Sequence, residues 1–164
     1  MTDPNNLYER FKRLHLKTSL VDFEVYEAER DGNSIIARNK NVYFGTISGN
    51  GEMIFCFDKN SKNGHKVYPV ANSFQDFLAL ILSTGSAQAI QNLSVWKKDE
   101  YIRYLRNVKI IDYLNTDEVM NVSFTIRFVL KIDDMNRPYE YVNYLVKTFD
   151  YDSLTYKNNP KNLF

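Results

Sequence analysis

The middle of the chain, residues 52–82, constrains the fold more than any other stretch. It reads as an apolar run at 52–58, a polar loop, a second run at 66–70, and an amphipathic helix that begins after Ser73. Ser73 is a natural N-cap, and Asp76 lies where an acidic residue completes a capping-box-like pair. The apolar residues of this helix form one stripe at helical spacing: Phe74, Phe77, Leu78, Ile81 and Leu82. The stripe has to be covered, and we expect the preceding strands to form the sheet that covers it.

Strand and helix patterns also divide the first two thirds of the chain. Asp31-Gly32-Asn33 and Gly49-Asn50-Gly51 indicate turns, because Asn and Gly tolerate positive φ. Pro69 cannot donate to a ladder, so the strand at 66–70 is expected at a sheet edge or at its own end. Periodicity predicts helices at 5–16, 73–83, 87–94 and 97–107, and strands at 20–28, 34–38, 42–47, 52–58 and 66–70. Residues 108–114 fit either a strand or a continued helix.

The last third of the chain alternates apolar and polar residues. The apolar set is Val122, Phe124, Ile126, Phe128 and Leu130, and the polar set is Ser123, Thr125 and Arg127. This alternation predicts a long antiparallel hairpin of strands 119–132 and 139–149 about a turn at 133–138. Residues 157–164 are expected to be a frayed tail. Without a repeat or linker, 1–164 is predicted to be one α+β domain: an antiparallel sheet of five to six strands, helices on one face, and the C-terminal hairpin.

Composition and charge argue against several function classes. With 164 residues, 44% of them hydrophobic and 15% aromatic, the chain suits a single folded domain. Its 21 basic and 20 acidic residues leave no electrostatic argument for a nucleic-acid partner. No run reaches the roughly 18 apolar residues of a membrane span, and the first residues lack the features of a signal peptide. Cys56 has no second cysteine to pair with, which fits a reducing compartment, and we expect a cytoplasmic protein.

Motifs for catalysis or metal binding are absent from the sequence. No dinucleotide fingerprint, Walker loop, His-Glu-x-x-His or Gly-x-Ser-x-Gly occurs. His15, His65 and Cys56 are too widely separated to suggest a metal cluster. Cys56 alternates with two phenylalanines on a strand, so it is expected to face away from them as a small buried hydrophobe. The Asp150/Asp152 pair fits a solvated strand end better than a cation site. We therefore predict no catalytic residue, no cofactor and no metal.

Aromatic residues are the better indication of a functional surface. Tyrosines crowd the end of the chain at Tyr139, Tyr141, Tyr144, Tyr151 and Tyr156, and Trp96 lies at a helix junction. Aromatic side chains dominate binding hot spots because they bury a large area at low entropic cost. Trp96, Tyr139 and Tyr141 are the candidate partner-binding residues, with both tyrosines on one face of the predicted strand. The alternative is that these rings line the core or the rim of the sheet.

Two stretches resemble the SUKH superfamily, which includes bacterial immunity proteins and a fungal regulator of cell-wall synthesis. Residues 49–58, Gly-Asn-Gly-Glu-Met-Ile-Phe-Cys-Phe-Asp, are similar to that family's Gly-rich turn into a strand ending in Asp. Residues 67–78, Val-Tyr-Pro-Val-Ala-Asn-Ser-Phe-Gln-Asp-Phe-Leu, are similar to its strand, short loop and helix. The resemblance implies an intracellular binding protein that neutralises a toxin, often a nuclease, by direct contact, and it carries over no catalytic residue.

The residues and the resemblance together favour an immunity-type protein that binds a toxin and is not an enzyme. One alternative is an enzyme whose acids and bases meet only in the fold. A deep pocket holding two of the following residues would favour it: Asp58, Glu24, His65 and Asp150. The other alternative is a self-associating module whose C-terminal hairpin pairs across a two-fold axis. The sequence does not decide the oligomeric state.

Overall fold

The computed structural model describes residues 6–107 and 116–154. Its helices are α1 (Leu7–Arg13), α2 (Phe74–Thr84), α3 (Ala87–Leu93), α4 (Lys98–Arg106), α5 (Asp117–Phe128) and α6 (Pro138–Thr148), with 3₁₀ turns at Thr18–Val21 and Tyr151–Ser153. Its strands are β1 (Glu24–Arg30), β2 (Asn33–Asn39), β3 (Val42–Ile47), β4 (Ile54–Phe57) and β5 (Val67–Ala71). All five strands lie between α1 and α2 in the sequence, and they form one antiparallel sheet. The predicted α+β class and antiparallel sheet are therefore confirmed.

The sheet is a meander in which each strand pairs with the next one along the chain, so β1 and β5 are its edges. Pro69 lies in β5, and the expected edge position of that strand is confirmed. The pairing of β2 with β3 shifts register between Ile35 and Ala37. At this bulge a side chain cannot replace the hydrogen of Gly45, because a Cβ there would collide with the backbone carbonyl oxygen of Ser34.

Both faces of the sheet carry a cluster of buried residues, each covered by a different part of the chain. On one face the paired residues Phe44, Cys56 and Tyr68 pack beneath the helices. All six described helices contribute buried side chains to this cluster: Phe11, Phe77, Ile90, Tyr101, Ile126 and Val142. The opposite face carries Ile35, Ile47, Phe55, Phe57 and Val67. Phe149 and Leu154, which follow α6, pack against that second face, so the chain passes from one side of the sheet to the other after α6.

Cys56 occupies the position that its neighbours predict. Its side chain lies on the helix-covered face and is fully buried, whereas Phe55 and Phe57 lie on the other face. Burial raises the pKa of its thiol, so the thiolate is disfavoured and Cys56 packs as a small hydrophobe.

The centre of the helical layer is α2. Ser73 caps it by accepting a hydrogen bond from the Asp76 backbone N–H at 3.1 Å, as predicted. The Phe77 ring meets the ring of Phe44 on the sheet with centroids 5.2 Å apart, so the predicted stripe does face the sheet. Leu80, outside that stripe, is fully buried as well. It is buried because α2 also contacts α1, α3, α5 and α6, and is therefore enclosed on several sides.

The start of the first strand differs from its prediction. Residues 20–28 were expected to be extended throughout, but Thr18–Val21 is a 3₁₀ turn and the strand begins at Glu24. Asp22 has a φ of 64°, which interrupts an extended backbone. Phe23 is nevertheless buried, and the apolar alternation reflects this burial and not a continuous strand.

The predicted C-terminal hairpin is wrong, because residues 119–132 lie mainly in α5 and 139–149 mainly in α6. Val119, Val122 and Ile126 are buried on one side of α5 at spacings of three and four. Phe124 and Phe128 belong to the same alternating set but lie on the outer side of the helix. The alternation suggests a strand because two faces of this one helix both carry apolar residues.

The sequence carries a helix-start signal at the start of each of these two helices. The Thr116 side chain accepts a hydrogen bond from the Val119 backbone N–H and caps α5, while Pro138 occupies the first position of α6. Both are standard helix beginnings, and they outweigh the alternation. The ambiguous stretch 108–114 and the expected frayed tail at 157–164 lie outside the described residues.

Candidate functional site

An open groove of about 700 Å³ lies between α1 and α2 above the helix-covered face of the sheet. Residues of three strands line its base: Ile36, Thr46 and Ile54. The first turns of α1 and α2 form its two walls, where Tyr8 and Phe74 stand. Their rings meet edge to face with centroids 5.2 Å apart. The groove is therefore lined by aliphatic and aromatic groups and opens to solvent along its rim.

The walls are held in place by helix caps and by one long hydrogen-bonding side chain. Asn6 starts α1 by accepting hydrogen bonds from the backbone N–H groups of Tyr8 at 2.9 Å and Glu9 at 3.3 Å. The Tyr8 hydroxyl donates to the backbone carbonyl of Ile36 at 3.1 Å, which fastens the wall to β2. Ser73 fixes the start of the other wall. These local interactions set the width of the groove.

Carboxylates and one cation surround the α1 wall. The Lys12 ammonium lies 2.6 Å from a Glu27 oxygen and 3.1 Å from a Glu9 oxygen. The hydrogen bond from Lys12 lowers the pKa of Glu27 and raises the pKa of Lys12. Burial, followed by the nearby Glu27 carboxylate, raises the pKa of Tyr8. Tyr8 therefore stays a neutral phenol in the groove wall, and exposed Glu52 adds a negative charge at the rim.

The stretches 49–58 and 67–78 meet in this groove. The first, 49–58, supplies three of the lining residues, Gly51, Glu52 and Ile54. The second, 67–78, supplies three more, Ser73, Phe74 and Gln75. Pairing of β4 with β5 places the two stretches side by side. The family-like residues thus build one continuous surface as well as part of the core.

Two of the predicted partner-binding residues lie together. The Tyr139 hydroxyl donates to the backbone carbonyl of Trp96 at 3.0 Å. Their rings belong to a half-buried aromatic cluster with Tyr101 and Tyr104, in which the Trp96 and Tyr104 centroids are 5.1 Å apart. Burial raises the pKa of Tyr101 and of Tyr104 to about 12. The cluster packs α4 against α6, and the part of it that reaches solvent is small.

Tyr141, the third predicted residue, lies elsewhere. Its hydroxyl donates to the Asp76 carboxylate at 2.6 Å and accepts from the Asn72 backbone N–H at 2.8 Å. The expectation that Tyr139 and Tyr141 share a strand face is wrong, because positions two apart on α6 point in different directions. Tyr141 instead borders a shallow groove of about 380 Å³ beside Tyr144. A partner-binding role for all three residues stays a prediction.

The acids and bases considered for an enzyme lie away from the α1–α2 groove: Asp58, Glu24, His65 and Asp150. Glu24 pairs with Arg38 on the sheet. The His65 ring stacks on Tyr151 at 3.6 Å, and Asp150 accepts from the Asp152 backbone N–H at 3.2 Å. Within 6–107 and 116–154, no three His, Cys, Asp or Glu side chains are grouped so that they could hold a metal ion. None of the described helices is both long and apolar enough to cross a membrane.

Helix α5 carries an exposed apolar surface that the sequence did not predict. Met120, Phe124 and Phe128 stand on the outer side of this helix and are 52%, 58% and 61% exposed. Their spacing of four residues could have revealed a helix face, but the alternating interpretation assigned the two phenylalanines to a strand.

The α1–α2 groove has the chemistry of a recognition surface. Its aromatic walls can bury an apolar side chain of a partner, and its rim offers the carboxylate of Glu52 and the amide of Gln75 for hydrogen bonding. Comparisons of the chain with protein-family models, curated proteins and solved structures find no match.

Proposed function

We propose that this protein is a cytoplasmic binding protein of the SUKH immunity type, which neutralises a partner toxin, such as a nuclease, by direct protein–protein contact. In this proposal it acts without a cofactor and is not an enzyme. The observation that supports it most is the α1–α2 groove, because both family-like stretches, 49–58 and 67–78, contribute to its lining.

The open shape of the groove favours a protein segment as its occupant. Its volume of about 700 Å³ falls within the range of roughly 300–1,000 Å³ that is typical of ligand sites. An open trough of that size suits a loop of a partner that lays one apolar side chain against the contacting rings of Tyr8 and Phe74. Anchors of this kind, surrounded by polar contacts, carry most of the energy of protein–protein binding.

Charge favours a basic segment in that position. Glu9 and Glu52 both line the groove, and Glu52 stands exposed on its rim. Lys12 is shared between Glu9 and Glu27, and Glu52 adds a further negative charge at the rim. Rim charges of this kind steer a partner of opposite sign and increase the association rate. A nuclease, which needs a basic surface to hold nucleic acid, meets this requirement.

The test is binding to a candidate toxin domain encoded by an adjacent gene. The purified chain is titrated against that domain by calorimetry, and protection is measured by co-expression. The variant Glu52→Arg/Gln75→Arg changes two exposed rim residues and leaves the aromatic side chains of Tyr8 and Phe74 in place. Its matched control, Asp133→Arg/Asn60→Arg, makes the same change of charge at two exposed positions that line neither this groove nor the one beside Tyr141.

We expect the rim variant to bind the toxin domain at least about tenfold more weakly, and the control to bind as the unmodified chain does. Equal binding by both variants would remove the groove from the proposal. If the neighbouring genes encode a metabolic pathway and no complex forms with any of their products, the immunity function itself is wrong.

A further inference from the structure

Helix α5 presents an apolar stripe to solvent on the side opposite the core. Met120, Phe124 and Phe128 follow one another at intervals of four residues, and the rings of the two phenylalanines pack with centroids 4.6 Å apart. Val129 continues the stripe and is 49% exposed. The outer face of a helix on a monomer surface is normally polar. The stripe therefore needs an explanation other than packing within the described chain.

The area of the stripe is that of a contact surface. With roughly 150–250 Å² for each aromatic side chain and somewhat less for Met and Val, the exposed fractions amount to about 400 Å² of apolar surface. Patches of this size are commonly functional on monomers. The area is also about half of the ~800 Å² that each partner buries in a standard interface. An interface centred on this stripe would accordingly be weak and concentration-dependent.

The charges at the two ends of the stripe are of opposite sign. Exposed Asp117 begins α5, and exposed Lys131 follows its end. Met120 and Phe128 are equidistant from Phe124 on the helix. Asp117 is the first residue of α5, whereas Lys131 lies just beyond its end, where a φ of 59° takes the backbone off the helical path. A two-fold axis through Phe124 that reverses the helix direction therefore places apolar against apolar, and it brings the acidic start of each helix towards the basic residue that follows the end of the other. The stripe is its own complement in this orientation, whereas parallel pairing would bring like charges together.

We propose that α5 is the interface between two copies of this chain, packed antiparallel about a two-fold axis through Phe124. Met120 of one copy lies against Phe128 of the second copy, and Asp117 lies beside Lys131. Opposed helix dipoles favour the same orientation. The occupant is a second copy because the pattern of apolar centre and opposite end charges is self-complementary. The proposal concerns a surface separate from the α1–α2 groove and does not depend on toxin binding.

Sedimentation equilibrium on the full chain tests the dimer directly. Over a range from about 10 μM to 1 mM, which suits an interface below the standard size, we expect the weight-average mass to rise from 19.3 kDa towards about twice that value. Phe124→Ser should weaken the dimer at least tenfold. Tyr144→Ser is the matched control, since Tyr144 is an equally large exposed ring on α6, 68% exposed, and it should leave the dimer unchanged.

Charge reversal tests the orientation. Lys131→Glu should weaken the dimer by placing two acids together, and Asp117→Lys combined with Lys131→Glu should restore it. Circular dichroism establishes that each variant is folded. A chain that stays monomeric up to 1 mM, a Phe124→Ser variant that dimerises normally, or a double variant that is not restored would overturn the proposal. A monomeric chain whose toxin binding is lost on Phe124→Ser would assign the stripe to the toxin instead.

Discussion

Two substitutions in α5 distinguish the observed helix from the strand that its sequence suggests. Ile126 is fully buried and Phe124 is 58% exposed, although the two residues are only two apart. In a strand they would share a face and be buried or exposed together. In the helix, Ile126→Ala should be costly and Phe124→Ala should be nearly neutral. Removal of the smaller side chain, that of Ile126, is therefore expected to lower the free energy of unfolding more than removal of the larger Phe124 ring.

The cost of Ile126→Ala follows from its burial. Removing three carbon atoms loses about 2.4 kcal/mol of transfer free energy at ~0.8 kcal/mol each. A residual cavity adds roughly 1 kcal/mol or more at ~24 cal/mol per Å³. The total of about 3–4 kcal/mol should lower the melting temperature by roughly 6–16 °C in a chain of this length. Phe124→Ala should change the free energy of unfolding by less than about 1 kcal/mol, because most of the ring is already in water.

Urea denaturation followed by far-ultraviolet circular dichroism measures both changes. The two variants are compared at the same low protein concentration, so that self-association does not contribute. Slopes of the unfolding transitions should agree between variants, which makes the midpoints comparable. A Phe124→Ala variant that loses as much stability as Ile126→Ala would refute the helical placement of this segment.

Three further predictions address other parts of the fold. Tyr141→Phe should lower the free energy of unfolding by about 1–3 kcal/mol through the loss of two hydrogen bonds, whereas Tyr144→Phe should be neutral in the same thermal melts, and equal effects would contradict the assignment. Gly45→Ala should cost more than Gly64→Ala in denaturant titrations, because only the first forces a Cβ against the Ser34 carbonyl while the second meets open space and strains only its φ. Burial raises the pKa of three tyrosines from 10.0 to about 12: buried Tyr101 and half-buried Tyr104 and Tyr151. Their contribution to stability is complete below pH 10 and is lost as pH rises through about 12, since the unfolded chain releases these protons first; the part of the phenolate absorbance that disappears when these three residues are replaced by Phe should arise together with the loss of circular dichroism, and its appearance well before that loss would contradict this.

The first two thirds of the fold follow from local sequence signals. Turn residues mark the meander, and Ser73 marks the start of α2 with its cap made as expected. Ser86 caps α3 in the same way. Pro69 identifies the edge strand. These signals are reliable because each depends on one or two residues whose backbone chemistry allows few alternatives.

The last third was mispredicted because α5 is apolar on two sides. A period of two and a period of 3.6 share positions over a short segment, and Val122 with Ile126 satisfies both. The exposure of Phe124 is tertiary information, since only the surrounding helices decide which apolar face is covered. The groove between α1 and α2 could not be predicted from the sequence either. It depends on the distance in space between two helices that are separated along the chain by all five strands.

The edges of the sheet limit how other chains can approach. β5 is an outer strand, but α6 packs against it and Pro69 removes one of its backbone donors. β1, the other outer strand, is irregular in its pairing and carries charged side chains at Glu24, Glu27, Glu29 and Arg30. Neither border offers a clean row of backbone groups for strand addition, which also protects the chain from aggregation. Recognition must then be encoded in side chains, so exchange of a few surface residues could redirect partner choice while leaving the scaffold intact.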